Sequence, residues 1–135
     1  MPNIDQSKLT TAASIASQAL PNALNRLAAV RWRAETGGIV LSNGRPMKTT
    51  AEAQAKISSA VLMLQTGAIS GPIRWKYDDG FADISGNDLA LIAHEVAAHI
   101  QACFTAESVV AAQLAADPDP DNFDVSAAFV AALSS

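Results

Sequence analysis

The chain has 135 residues, half of them apolar and only 5% aromatic, with a formal net charge of −4. That length suffices for one domain with its own core, and the acidic balance argues against nucleic acid as a partner, since phosphate binding needs clustered Lys and Arg. The single cysteine, Cys103, excludes an internal disulfide and with it a bridged secreted scaffold.

Roughly a fifth of the residues are Ala, so close helix packing has to replace bulky filling. Residues 5–20 start a helix at Asp5, with Leu9, Ala13, Ala16 and Leu20 on one stripe. Pro21 either kinks that helix or opens a second one at its first position, running to about Thr36 with Leu24, Leu27 and Ala28 inward. Gly37-Gly38 ends it. A 4,3 alternation through Leu9, Ala13, Ala16, Leu20, Ala23, Leu27, Val30 and Ala34 makes an Ala-weakened coiled-coil seam. Homo-oligomerisation through this segment stands beside packing on the domain's own core. Arg31 and Arg33, flanking Trp32, read as a solvated face.

Ile39 to Leu41 is a short strand, and Asn43-Gly44 carries the signal of a type I′ hairpin turn. The return strand, Arg45 to Lys48, contains Pro46 and belongs on a sheet edge. Thr49-Thr50-Ala51-Glu52 reads as a capping box with Thr49 as the cap. The helix it opens runs to Gln65 or Thr66 with Ala53, Ile57, Ala60, Val61 and Leu64 inward. Leu62 and Met63 broaden that stripe and predict cover on more than one side.

Ile73, Trp75 and Tyr77 alternate with Arg74 and Lys76 as in a half-buried antiparallel strand. Two registers fit the turn at Asp78-Asp79-Gly80. A two-residue Asp79-Gly80 loop pairs Trp75 with Ile84; a three-residue loop pairs Tyr77 with Phe81. One residue of difference decides the face Phe81 occupies. Ser85 then caps a long amphipathic helix near residues 86–116, with Leu89, Ile92, Ala93, Val96, Ile100, Cys103 and Phe104 on one side, extended by Val110 and Leu114. Asp117-Pro118-Asp119-Pro120-Asp121 breaks it. Val125, Phe129 and Leu133 recur every four residues in a last short helix, which must dock on its own domain or on a neighbouring chain.

The residues show no catalytic constellation. In HEVAAH the two imidazoles, His94 and His99, are five apart, about 140° around a helix, so they do not chelate one metal as an i, i+4 pair would. His99 borders the buried stripe and reads as a structural, hydrogen-bonded histidine; His94 faces solvent. Turn chemistry accounts for Asp78, Asp79, Asp83, Asp117, Asp119 and Asp121 more simply than calcium or acid–base work. No phosphate-binding glycine loop is present, and no cofactor is expected. No apolar run appears long enough to span a bilayer, and MPNIDQSKL lacks a signal-peptide core, so no membrane partner is expected.

Three segments are more specific: AETGGIVLSNGRPMKTTAEAQAKI, IRWKYDDGF and IAHEVAAHIQACFTAESVVAA. Together they resemble a phage domain-of-unknown-function family common in C-terminal parts of tail-fibre-associated and tail-assembly proteins of tailed phages and prophages. The resemblance covers about residues 26–116 and carries no catalytic residues over. It implies a bacterial-host cytoplasmic location during assembly, or association with the virion.

The expected fold is α+β: two short β-hairpins packed with three to five helices. The expected parts are an N-terminal helical segment (1–25), the α+β domain (26–116), and a Pro/Asp linker with a short helix (117–135). The expected function is non-enzymatic, by contact with a phage tail or fibre protein, with Phe81, Trp75, Tyr77, Phe129 and Leu133 as candidate contacts. A host-directed regulator that binds a host protein is one alternative. A ligand-binding protein or enzyme using His99 with Asp83 or Glu95 is the other.

Overall fold

A computed structural model describes the backbone of residues 6–135 and the side chains from Ser17 onward. The expected helix start at Asp5 and the seam positions Leu9, Ala13 and Ala16 lie outside those descriptions. The architecture is α+β, four α-helices with two separate two-stranded antiparallel sheets. The chain divides into two compact units. One comprises residues up to Arg31 together with Thr105–Ser135; the other is Trp32–Phe104.

Helix α1 runs unbroken over Gln6–Thr36 with Pro21 inside it, so Pro21 opens no second helix. Ala19 and Leu20 before it are good helix formers, and Ala23 and Leu27 beyond it are fully buried. That anchorage outweighs the hydrogen bond that a proline nitrogen cannot give. Leu24, expected inward, is exposed; it sits about 100° around the helix from Ala23.

In the Trp32–Phe104 unit, the first hairpin pairs β1 (Ile39–Val40) with β2 (Pro46–Met47), Ile39 opposite Met47 and Val40 opposite Pro46. Its turn differs from the expected type I′. Asn43 keeps a negative φ and only Gly44 is left-handed, at +83°. The Gly44 N–H donates to the Leu41 carbonyl at 2.8 Å and the Leu41 N–H to the Arg45 carbonyl at 2.9 Å. A non-primed turn followed by a left-handed glycine is the longer hairpin connection. It leaves Leu41 buried and tucks it into the core.

Helix α2 spans Ala51–Gln65. Its cap is Thr50, whose hydroxyl accepts the Ala53 N–H at 3.2 Å, and not Thr49. Thr49 is 0% exposed. Its hydroxyl accepts the Gly38 N–H at 2.9 Å and donates to the Glu35 carbonyl at 2.5 Å. It thereby satisfies a carbonyl at the end of α1, one of the orphan groups every helix terminus leaves. Leu62 and Met63, expected under cover, are exposed, because they fall off the Ile57–Val61–Leu64 line that meets the core.

The second hairpin pairs β3 (Ile73–Tyr77) with β4 (Gly80–Ile84). Its register is neither of the two expected. Tyr77 stands opposite Gly80, Lys76 opposite Phe81, Trp75 opposite Ala82, Arg74 opposite Asp83 and Ile73 opposite Ile84. The loop is therefore Asp78-Asp79, with the unusual backbone placed on Gly80 at φ +134°. This differs by two residues from the Asp79-Gly80 alternative and so keeps the same faces; the three-residue alternative would have reversed Phe81.

Helix α3 runs over Gly86–Ala116. Ser85 and Asp88 close a reciprocal capping box, the Asp88 N–H donating to Ser85 Oγ and the Ser85 N–H to Asp88 Oδ2, each at 3.1 Å. Leu89, Ile92 and Val96 join Leu41, Met47, Ile57, Tyr77 and Ile84 in one buried cluster. By length and composition α3 could cross a membrane, contrary to the expectation from the sequence; Leu89, Ile92 and Val96 are already committed to that cluster. Phe104, expected on the buried stripe, is exposed. The stripe continues through Cys103, Ala106, Val110 and Leu114, and Phe104 lies one residue off it.

In the other unit the buried side chains come from α1, α3 and α4 (Val125–Leu133), with Val125 and Phe129 the latter's share. Arg26 donates to the carbonyls of Pro120 and Asp121 at 3.1 and 3.4 Å, tying down the linker. Arg31 pairs with Glu107 at 3.3 Å.

Candidate functional site

The alternation of β3 and β4 gives the second hairpin two unlike faces. Ile73, Trp75 and Tyr77 turn inward with Ala82 and Ile84, all packed in or against the core cluster. Arg74, Lys76, Phe81 and Asp83 turn outward and are exposed. The outward pairs are chemically matched across the strands. Arg74 Nε meets Asp83 Oδ1 at 2.8 Å, and the Lys76 ammonium lies 5.8 Å from the centre of the Phe81 ring, within cation–π range. Phe81 remains 63% exposed. An aromatic ring left that open beside a cation, on a sheet with only two strands, is a candidate contact surface.

The hairpin is held at its tip by the first one. Arg45 reaches Asp79 Oδ1 with both Nε and Nη2, at 3.2 and 2.9 Å. The same guanidinium lies 4.0 Å from the centre of the Tyr77 ring. Lys48 stands 3.8 Å from Asp78. The two turn aspartates thus meet two cations of the other hairpin, a role that reading them only as turn formers missed. The available signal was matched charge, two basic residues flanking one hairpin's return strand and two acidic residues at the other's tip.

The remaining candidates separate. Tyr77 is 3% exposed and Phe129 2%, so both rings fill cores. Trp75 is half-buried, and its indole N–H is buried without a hydrogen-bond partner. Leu133 sits at the edge of exposure near the end of α4.

His99, Asp83 and Glu95 are each engaged elsewhere. His99 Nε2 donates to the Ala34 carbonyl at 2.8 Å, with Cys103 Sγ 3.8 Å from the same nitrogen. Glu95 accepts the Ser42 N–H at 2.9 Å. His99 therefore satisfies a second carbonyl at the end of α1, the structural role its position suggested, and His94 is exposed. No group of three or more His, Cys, Asp or Glu side chains among the described residues is arranged to hold a metal ion.

A shallow apolar groove of about 490 Å³ runs between α2 and α3, lined by Ile57, Val61, Leu62, Ala93, Val96 and Ile100.

The fold and these surfaces define a small α+β domain with an exposed aromatic–cation face on its second hairpin. Residues 16–130 match the family described as a domain of unknown function, DUF4376, and the chain belongs to that family. No curated protein and no solved structure shows significant similarity to it.

Proposed function

We propose that the protein is a non-enzymatic phage or prophage component, associated with the tail fibre or acting in tail assembly, that works by protein–protein contact through the outward face of the second hairpin. The phage setting rests on the resemblance of the three sequence segments. The contact mode rests on one observation, the exposure of Phe81 beside Lys76 on a two-stranded sheet. Folding gains little from leaving a phenylalanine in water, whereas aromatic side chains are enriched among residues that dominate binding energy. Both strands also have an unpaired edge within their sheet, which suits strand addition by an extended segment of a partner.

The test is co-purification of the full chain with a tail-fibre protein of the same phage or prophage, with the mass of the complex measured. Phe81→Ala should reduce capture at least about tenfold, the effect of losing a central hot-spot ring. It should shift the stability of the isolated chain by no more than about 0.5 kcal/mol, as exposed positions do. Equal capture by the variant would remove Phe81 from the interface. No capture by the unaltered chain would overturn the proposed partner.

A further inference from the structure

We propose that Asn43 is a site of spontaneous covalent modification, converted to an aspartyl or isoaspartyl linkage through a cyclic imide with Gly44. In this reaction the backbone nitrogen after an asparagine attacks the side-chain carboxamide carbon. A following glycine favours it because no Cβ obstructs closure of the five-membered ring. Of the six asparagines in the sequence, only Asn43 precedes glycine. Asn22 and Asn25 lie inside α1 and Asn87 in the first turn of α3, where helical backbone carries the next nitrogen away from the side chain. Asn122 is held by its own donation to Asp119 Oδ2 at 2.7 Å.

The turn supplies more than the sequence pair. Asn43 and Gly44 are both exposed, and a Cβ built on Gly44 would meet nothing within 4 Å, so water and hydroxide reach the peptide. The Arg45 N–H donates to Asn43 Oδ1 at 2.9 Å. That oxygen is the atom that gathers negative charge when the carboxamide carbon is attacked, and a fixed N–H aimed at it lowers the barrier as an oxyanion-hole donor does. One contact opposes the reaction: the attacking nitrogen donates its proton to the Leu41 carbonyl, and that bond has to open first.

The step balances with water alone. Gly44 N bonds to Asn43 Cγ, the proton leaves that nitrogen, and ammonia departs from Cγ. Water then opens the imide. Cleavage at Cγ leaves an ordinary aspartate, and cleavage at the main-chain carbonyl leaves isoaspartate; nothing is oxidised or reduced. The imide nitrogen has no hydrogen, so the bond to Leu41 is lost. Isoaspartate lengthens the main chain of the turn by a methylene. In the aspartate product the new carboxylate arises where Asn43 Oδ1 accepts the Arg45 N–H, adding a negative charge at the turn.

The test is incubation of the full, folded chain at neutral and alkaline pH, followed by peptide mapping with isoaspartate detection. The expected result is ammonia loss and isoaspartate at the Asn43-Gly44 peptide before any other asparagine, faster at the higher pH, and lost in Asn43→Gln. Gly44→Ala should slow conversion, since a side chain then crowds the attacking nitrogen. Conversion first at another asparagine would overturn the proposal. So would an intact Asn43 in the folded chain with conversion only after denaturation, which would show that the Leu41 hydrogen bond protects the turn.

Discussion

Thr49 shows how much one hydroxyl can organise. Its side chain is fully buried and joins the end of α1, through Glu35 and Gly38, to the chain entering α2. Gln54 completes the link by donating from Nε2 to the Thr49 carbonyl at 2.9 Å. Thr49→Val keeps the shape and removes both hydroxyl bonds, so it should cost about 1–3 kcal/mol, the penalty for stranding buried polar groups. Thr49→Ser should recover most of it; urea denaturation of both variants decides. In sequence, Thr49 and Thr50 are equivalent candidates for a cap, and only the tertiary position of Gly38 separates them. Glu52 is the other half of the misread box. It pairs with Lys56 at 2.9 Å instead; the Lys56 hydrogen bond, then its charge, holds the Glu52 carboxyl below its ordinary value. A depressed folded pKa contributes stability above the unfolded value, and that contribution is lost as pH falls through the folded one. Glu52→Gln should therefore weaken the chain slightly at neutral pH and make no difference in acid below the carboxylate range, read from melting curves at several pH values.

At the scale of elements, the helices and the existence of both hairpins were legible, while the turn type of the first hairpin and the register of the second were not, for a physical reason. A helix boundary is local. Gly37-Gly38, Ser85 with Asp88, and Asp117-Pro118 each act on the adjacent turn of chain, and α1 ends, α3 starts and α3 ends where those residues place them. A hairpin register is a comparison between alternatives that local rules leave nearly equal. The Asp78-Asp79 loop wins with contacts from outside the hairpin: Arg45 on Asp79 and Tyr77, Lys48 on Asp78. It also sets Arg74 against Asp83. Its cost falls on Gly80, whose φ of +134° side-chain-bearing residues rarely adopt and whose surroundings would leave an added Cβ uncontacted. Gly80→Ala should therefore destabilise by about 1–3 kcal/mol through the backbone alone. Gly86→Ala is the matched control. Its Cβ would meet Leu64 Cδ1 at 3.7 Å, an ordinary contact, and its effect should stay within about 0.5 kcal/mol. Equal losses in equilibrium denaturation would mean that Gly80 carries no backbone strain.

For the whole molecule, the informative residues are at the far end of the chain. The sequence left the last helix a choice between its own domain and a neighbouring chain, because nine residues of helix cannot stand alone. The family match extends to residue 130, and that span takes in the helix's buried anchors. Phe129 is 2% exposed and Val125 6%, while Val130, next after Phe129, is 61% exposed. One face is thus committed inside the chain's own unit, with Arg26 fixing the linker that leads to it. Asp124 caps it, accepting the Ala127 N–H at 3.0 Å. This arrangement makes Phe129 and its neighbour opposites in energy despite their shared apolar character. Phe129→Ala should cost about 3–5 kcal/mol, the transfer and cavity terms of a buried ring. Val130→Ala should cost no more than about 0.5 kcal/mol, as at other exposed sites. Chemical denaturation compares the two directly. A large loss at Val130 with little at Phe129 would place the helix's other face inward and make its docking on this chain untenable.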